Sequence, residues 1–185
     1  NGGVVGGQIS AVRLGATPHI IKGYAAQKMS LSLAAANPQR NPTSRAGAIA
    51  LAEAALDAVG RGRADSSRAQ TSLLVGEFST RLSERVSALA PVLRGQTPVF
   101  FHAPKTVDVE TALRLARERH LVPVLLHPTS VSQASDSIRS SKAIVIVGPL
   151  GLDASDRALA DPGKLAKEGI SVAFCSDAPL SDPGS

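Results

Sequence analysis

Four short apolar runs, each rich in β-forming residues, recur through the second half of the chain. They constrain its fold more than any other feature. "TPVFFHAP" spans 97–104, "LVPVLLHP" 121–128, "KAIVIVGPL" 142–150 and "GISVAFCSDAP" 169–179, so successive runs begin 21 to 27 residues apart. Each is apolar over consecutive residues and does not alternate. That is the pattern of a strand covered on both faces, which is typical of a parallel sheet. The intervals leave room for a helix each. "VDVETALRLARERH" puts Val109, Ala112, Leu113 and Ala116 on one helical face, with Asp108 expected as N-cap. "SVSQASDSIRSS" (130–141) predicts a shorter helix. "DRALADPGKLAKEG" (156–169) predicts another, with Leu165 and Ala166 inward and Gly169 as its stop. Strand and helix alternating at this interval is the rhythm of a parallel α/β fold.

The first half is less regular. "NGGVVGGQISAVRLG" (1–15) holds four glycines before a run carrying Ile9, Ala11, Val12 and Leu14. The glycines could cradle an anion, but they match no phosphate-binding fingerprint, and a loop of unusual backbone angles is the plainer expectation. His19 follows Pro18 in an expected turn. "QKMSLSLAAANPQRNPTSR" (27–45) reads as a short strand and then a loop, "RAGAIALAEAALDAVGRG" (45–62) as an alanine-rich helix, and "RADSSRAQTS" (63–72) as an exposed linker. Leu82, Val86, Leu89 and Leu93 predict a helix towards the end of 73–96.

Composition closes off several classes. With 185 residues, the chain is read as a single domain over 1–185. Aromatic residues make up only 3%, so the core must come from Ala, Val, Leu and Ile. The net charge of +5 is scattered, without a basic run or an aromatic ladder, which argues against nucleic-acid binding. No apolar stretch reaches the roughly 18 residues of a membrane helix. Cys175 is the single cysteine, so an internal disulfide and a cysteine-based zinc finger are both excluded. The chain opens at Asn1 and stops at "SDPGS", and truncation at both ends is expected. Localisation and oligomeric state stay open, a homo-oligomer included.

In parallel α/β folds ligands bind beyond the carboxyl ends of the strands. The four runs end in His102, His127, Gly148-Pro149 and Asp177. Two imidazoles and a carboxylate at equivalent strand ends suit a divalent ion such as zinc. Each alone also fits a structural role: a hydrogen-bonded histidine, or a turn aspartate before a proline neighbour. Cys175, two residues before Asp177, is expected to be buried and structural. His120 is read as the end of a helix.

These segments together resemble the metal-dependent amidohydrolase superfamily, most closely its imidazolonepropionase-like branch. "GISVAFCSDAP" resembles the last barrel-strand motif, "PVFFHAPKTVDVETALRLARE" the fifth-strand segment, "VPVLLHPTSVSQASDSI" the sixth, and "AIVIVGPL" the seventh. "NGGVVGGQISAVRL" resembles the glycine-rich segment after the third strand. "KMSLS" through "ANPQRNPTSRAGAIAL" resembles the fourth-strand region and its helix. The resemblance implies a (β/α)8 TIM barrel, of which this chain covers about strands 3 to 8. It implies His102, His127 and Asp177 as metal ligands, with Asp177 also the catalytic proton carrier. The first-strand H-x-H pair is absent. The expected fourth-strand glutamate is replaced by alanine around Ala34 to Ala36, which favours one zinc-like ion over two. The resemblance also makes Lys28 a candidate carbamylated bridging ligand, a role that a lysine fills elsewhere in the superfamily, though nothing in the sequence demands it.

The expected function is metal-dependent hydrolysis of a non-peptide C–N bond, amide or cyclic amide, in a small-molecule substrate. The alternative is a degenerate barrel that binds a ligand or partner without a catalytic metal. A third reading, a flavodoxin-like module, would use the early glycines for a nucleotide or sugar phosphate.

Overall fold

The structure, a computed structural model, describes residues 3–37, 39, 41–61, 88–129, 131–151 and 154–176. Strand β1 (Val5–Arg13) and strand β2 (His19–Ser30) lead to a 3-10 turn, Leu33–Ala35, and helix α1 (Arg45–Arg61). Helix α2 is described over 88–93. Then follow β3 (Val99–His102), α3 (Thr106–Glu118), β4 (Pro123–Leu126), a 3-10 turn at Val131–Gln133, α4 (Ser135–Ser140), β5 (Ile144–Val147), α5 (Asp156–Lys167) and β6 (Val172–Phe174). The linker expected at 63–72 lies outside the described residues, as does Asp177.

The six strands form one curled sheet in the order β1-β2-β3-β4-β5-β6. From β2 to β6 every pairing is parallel, as the apolar runs predict. The pairing of β1 with β2 is antiparallel, so the first half opens with a hairpin. His19 accordingly begins β2, paired with Arg13, and is not a turn residue. The short strand expected near 27 runs back to residue 19 for the same reason: the hairpin partner satisfies its backbone.

Register sorts the side chains into two faces. Met29, Phe101, Leu125 and Val145 align across β2 to β5, and all four are wholly buried. They pack with Ala48, Ala52 and Leu56 of α1, Val109, Ala112 and Leu113 of α3, Ile138 of α4 and Leu165 of α5. Fully burying a Val, Leu, Ile, Met or Phe side chain contributes about 1.5–3 kcal/mol, an alanine methyl less. Ala166, expected inward, is exposed, and only Leu165 reaches the core from that pair. The other face carries Lys28, Ser30, Phe100, His102, Val124 and Leu126.

The helix-to-strand connections share one device. Helices α2 to α5 each end with a residue at positive φ: Gly95 (68°), His120 (54°), Lys142 (52°) and Gly169 (78°). In each case the next residue's N–H returns to a carbonyl five residues earlier: Gln96 to Pro91, Leu121 to Ala116, Ala143 to Ile138 and Ile170 to Leu165. This is the Schellman closure, with Leu121, Ala143 and Ile170 buried just beyond it. Four copies explain the regular helix-to-strand turn. Gly169 stops its helix as expected, and His120 ends α3.

At the other end of α3, the N-cap is Lys105, not Asp108. Asp108 stands three residues in, where its Oδ2 accepts the Lys105 backbone N–H at 3.1 Å, the return arm of a capping box. Its Oδ1 lies 3.1 Å from Arg45 Nε, so the pair joins the starts of α1 and α3. The region 130–141 is split into its 3-10 turn and the six-residue α4. No helix among the described residues is long and apolar enough to cross a membrane.

Candidate functional site

His102 is the last residue of β3, aligned with Ser30 of β2. Alternation turns it to the face opposite the helix-packed core. There it lines a cleft of about 310 Å³ with Gly6, Gly7, Lys28, Ser30 and Ala34. The cleft therefore sits at the carboxyl ends of β2 and β3, where this class of fold keeps its ligands.

His127 follows β4 by one residue, and its N–H still bonds the Ile146 carbonyl at 2.9 Å. Had β4 continued, alternation would carry its ring towards the helices beside Leu125. Instead its φ is 55°, a left-handed conformation uncommon outside glycine, which redirects the side chain. The ring then meets His102 edge to face, with centroids 5.5 Å apart and planes at 78°. Both histidines are half-buried. Two of the three expected site residues thus come together.

This spacing tests the fit of a metal. With a metal–nitrogen distance of about 2.1 Å, two imidazoles on one tetrahedral ion hold their centres about 5 Å apart. The observed 5.5 Å leaves room for two donors to one ion and is also the distance of a plain edge-to-face ring contact. Among the described residues no group of three or more His, Cys, Asp and Glu is gathered tightly enough to hold one. Asp177, the expected third member, is not among them.

The end of β2 and the turn after it supply hydroxyls. Ser32, which caps the 3-10 turn, accepts from the Ala34 N–H at 3.2 Å, and its Oγ lies 3.2 Å from His102 Nδ1 and 3.3 Å from Ser30 Oγ. Ala34, within the stretch where the resemblance expects a glutamate, gives the cleft wall only a methyl group. Sequence reading missed Ser30 and Ser32. Their signal was the i, i+2 spacing at the end of a strand, which directs both to one side.

Gly6 and Gly7, of the early glycines, are not in a loop of unusual angles. Gly6 and Gly7 lie within β1, and neither has a positive φ. Their role is close approach: a Cβ on Gly6 would stand 3.1 Å from the Lys28 carbonyl oxygen. Gln27 Nε2 donates to the Gly6 carbonyl at 2.8 Å and so holds this bulged part of the hairpin. The Tyr24 hydroxyl donates to Gln27 Oε1 at 3.0 Å or to the Ala88 carbonyl at 2.9 Å, and burial pushes the Tyr24 phenol up from its usual range.

Cys175 follows β6, its N–H bonded to the Val147 carbonyl at 3.0 Å, and it is half-buried where full burial was expected. A second concavity, about 410 Å³, lies at Leu56, Asp57, Leu93 and Arg119, towards the amino ends of β3 and β4. It is spanned by the Asp57–Arg119 ion pair and contains neither histidine.

No protein-family model matches the sequence, and no curated protein sequence matches it either. Among solved structures, the chain is similar to the crystal structure of an amidohydrolase from Thermotoga maritima MSB8. The TM-score is 0.76 and the identity 26%, over 96% of this chain and 49% of that one. The chain therefore spans about half the length of the protein it matches. The likeness supports an amidohydrolase-like relationship, and the curled, mostly parallel sheet is consistent with part of a TIM barrel.

Proposed function

We propose that this chain is part of the catalytic barrel of a metal-dependent hydrolase that cleaves a non-peptide C–N bond, amide or cyclic amide, in a small molecule. The observation that carries the reading is the meeting of His102 and His127 at adjacent strand ends, at a spacing suited to one shared ion. His102 and His127 would hold that ion, zinc before others, with Asp177 as a further ligand. When bound, such an ion supplies Lewis acidity towards a carbonyl oxygen and towards water. Asp177 would take the proton of the attacking water and return it to the leaving nitrogen. Lys28 gives the cleft a positive charge that suits an anionic substrate group. The strand-end motifs favour the imidazolonepropionase-like branch, and Ala34 on the cleft wall favours one ion over two.

The same Ala34 supports a second reading, a barrel that binds a ligand or partner without catalysis. One experiment separates them. The chain is loaded with zinc, freed of excess and offered N-acyl amines and cyclic amides, with chelator-treated protein beside it. Hydrolysis that needs the metal and falls at least about a thousandfold in His102→Ala and His127→Ala supports the hydrolase. No zinc uptake, with an unchanged melting temperature, would leave the binding barrel.

A further inference from the structure

We propose that Thr129 is a positioning residue for the His102–His127 pair. It straps the segment after His127 to the segment after His102, and so holds His127 in the left-handed conformation that turns its ring to the cleft. The need for a strap comes from a missing rung. Strands β3 and β4 are joined by parallel-ladder hydrogen bonds, evenly spaced along the pair. The Val99 N–H bonds the Val122 carbonyl at 2.9 Å, and the Ala103 N–H bonds the Leu126 carbonyl at 3.1 Å. The next rung in that register would run from the N–H of residue 128 to the Ala103 carbonyl. Residue 128 is a proline, which has no N–H to give.

Thr129 supplies a replacement one residue further on. Its N–H donates to the Pro104 carbonyl at 2.8 Å, and its hydroxyl donates to the same oxygen at 2.6 Å. The two donors use both lone pairs of that carbonyl. The link outward from it, Thr106 Oγ1 to Gln133 Oε1, is longer at 3.5 Å. His127 is thereby caught between two fixed points. Its own N–H holds the Ile146 carbonyl at 2.9 Å on one side, and Thr129 holds Pro104 on the other. The ring of Pro128 fixes its own φ, so the turn falls on His127, at a φ of 55°. The segment does not carry this instruction alone, because the carbonyl that completes it lies 25 residues back.

Magnitudes decide how much the hydroxyl matters. A left-handed residue with a Cβ is disfavoured about five- to thirtyfold. One net hydrogen bond returns about two- to tenfold. At the middle of both ranges two bonds outweigh the cost and one does not. Without its hydroxyl, residue 129 should release His127 towards extended angles, which carry the ring away from His102. Use of the pair as a metal seat rests on the proposed hydrolase reading, whereas the strap and the ring contact do not.

The test compares three EDTA-treated chains by NMR: wild type, Thr129→Val and Thr129→Ser. Valine keeps the branched shape and the N–H, and serine keeps the hydroxyl. In the wild type His127 should show the strong intraresidue HN–Hα NOE of a positive φ, and its ring should show NOEs to the His102 ring. In Thr129→Val the amide of residue 129, corrected for its intrinsic rate, should exchange about two- to tenfold faster. The ring-to-ring NOEs should fall by about half or more, with the amides of Phe101 and Leu125 protected as before. Thr129→Ser should stay within about twofold of the wild type.

Ring-to-ring NOEs unchanged in folded Thr129→Val overturn the proposal and leave Thr129 as a plain loop tether. So does Thr129→Ser behaving like Thr129→Val. Should Thr129→Val fail to fold, the wild type decides, since a Thr129 amide that exchanges as fast as an open loop rules out the strap. Competition with a chromophoric chelator adds a second readout, with zinc binding about two- to tenfold weaker in Thr129→Val and recovered in Thr129→Ser. A wild-type chain that takes up no zinc sinks the hydrolase reading, while the metal-free NOEs still decide the role of Thr129.

Discussion

The His102 and His127 rings stand edge to face with centroids 5.5 Å apart, yet their backbones reach that contact by different routes. His102 ends a regular strand, whereas His127 has left the strand at a φ of 55°. A left-handed residue with a Cβ costs about 1–2 kcal/mol relative to the right-handed form. The cost is borne where two imidazoles meet, the setting in which backbone strain accompanies function.

His127→Asn should separate strain from chemistry. Asparagine accepts left-handed angles, so stability in urea should change by less than about 0.5 kcal/mol. It removes an imidazole donor, so zinc affinity should fall at least about tenfold. His127→Val, β-branched at the same φ, should lose about 1–2 kcal/mol of stability as well.

The Schellman turns offer a stability test away from the site. His120 and Lys142 occupy positions that Gly95 and Gly169 fill in the equivalent turns. Both side chains are largely exposed, so little packing is lost on removing them. His120→Gly and Lys142→Gly should each stabilise by about 0.5–1 kcal/mol, and their effects should add because the turns are separate. Gly169→Ala should destabilise by about 1–2 kcal/mol. Urea midpoints at a constant slope would check all three.

Those turns also show what was legible in the sequence. Gly169 announced its turn because glycine is the usual occupant, while His120 and Lys142 hid the same geometry behind ordinary side chains. The strands were legible because Phe101, Leu125 and Val145 sit in continuous apolar runs, whereas β2 was shortened because its exposed half carries Lys22 and Gly23 and leans on a hairpin partner. His102 and His127 were visible at strand ends. The left-handed φ that brings His127 round was not, since nothing in "LLHPTS" specifies it. Ser32 was invisible because its meaning lies in a contact with a residue 70 positions away.

Asp108 tests how far helix starts govern the site. Its two oxygens serve the Lys105 N–H and Arg45, and it is 1% exposed. Asp108→Ala removes the cap bond and leaves Arg45 without its carboxylate. Arg45 keeps some solvent contact, so the loss should be about 2–3 kcal/mol, below that of a fully buried pair. Asp108→Asn keeps an acceptor for Lys105 and should cost less. Arg45→Met in the Asp108→Asn background should recover part of the loss, as a double-mutant cycle in urea would show.

Gly148→Ala is the sharpest steric prediction. Gly148 has a φ of 126°, and a Cβ there would stand 2.3 Å from the Cys175 carbonyl oxygen. That atom is backbone, so no side-chain rotation can relieve the clash. Either β5 and β6 separate beyond their last paired residues, Val147 and Phe174, or the Gly148 backbone changes its angles. The Cys175 N–H bond to Val147 lies beside the clash and should break first. The cost should exceed about 3 kcal/mol, strain and overpacking combined. Amide exchange would locate it: protection of Cys175 lost, with Phe101 and Leu125 protected almost as before. Equal loss across all strands would mean that β6 is coupled to the whole sheet. Because Asp177 follows Cys175 by two residues, a local break should also weaken zinc binding while leaving the His102–His127 contact in place. Zinc affinity unchanged in a variant with an exposed Cys175 amide would remove Asp177 from the proposed ligand set.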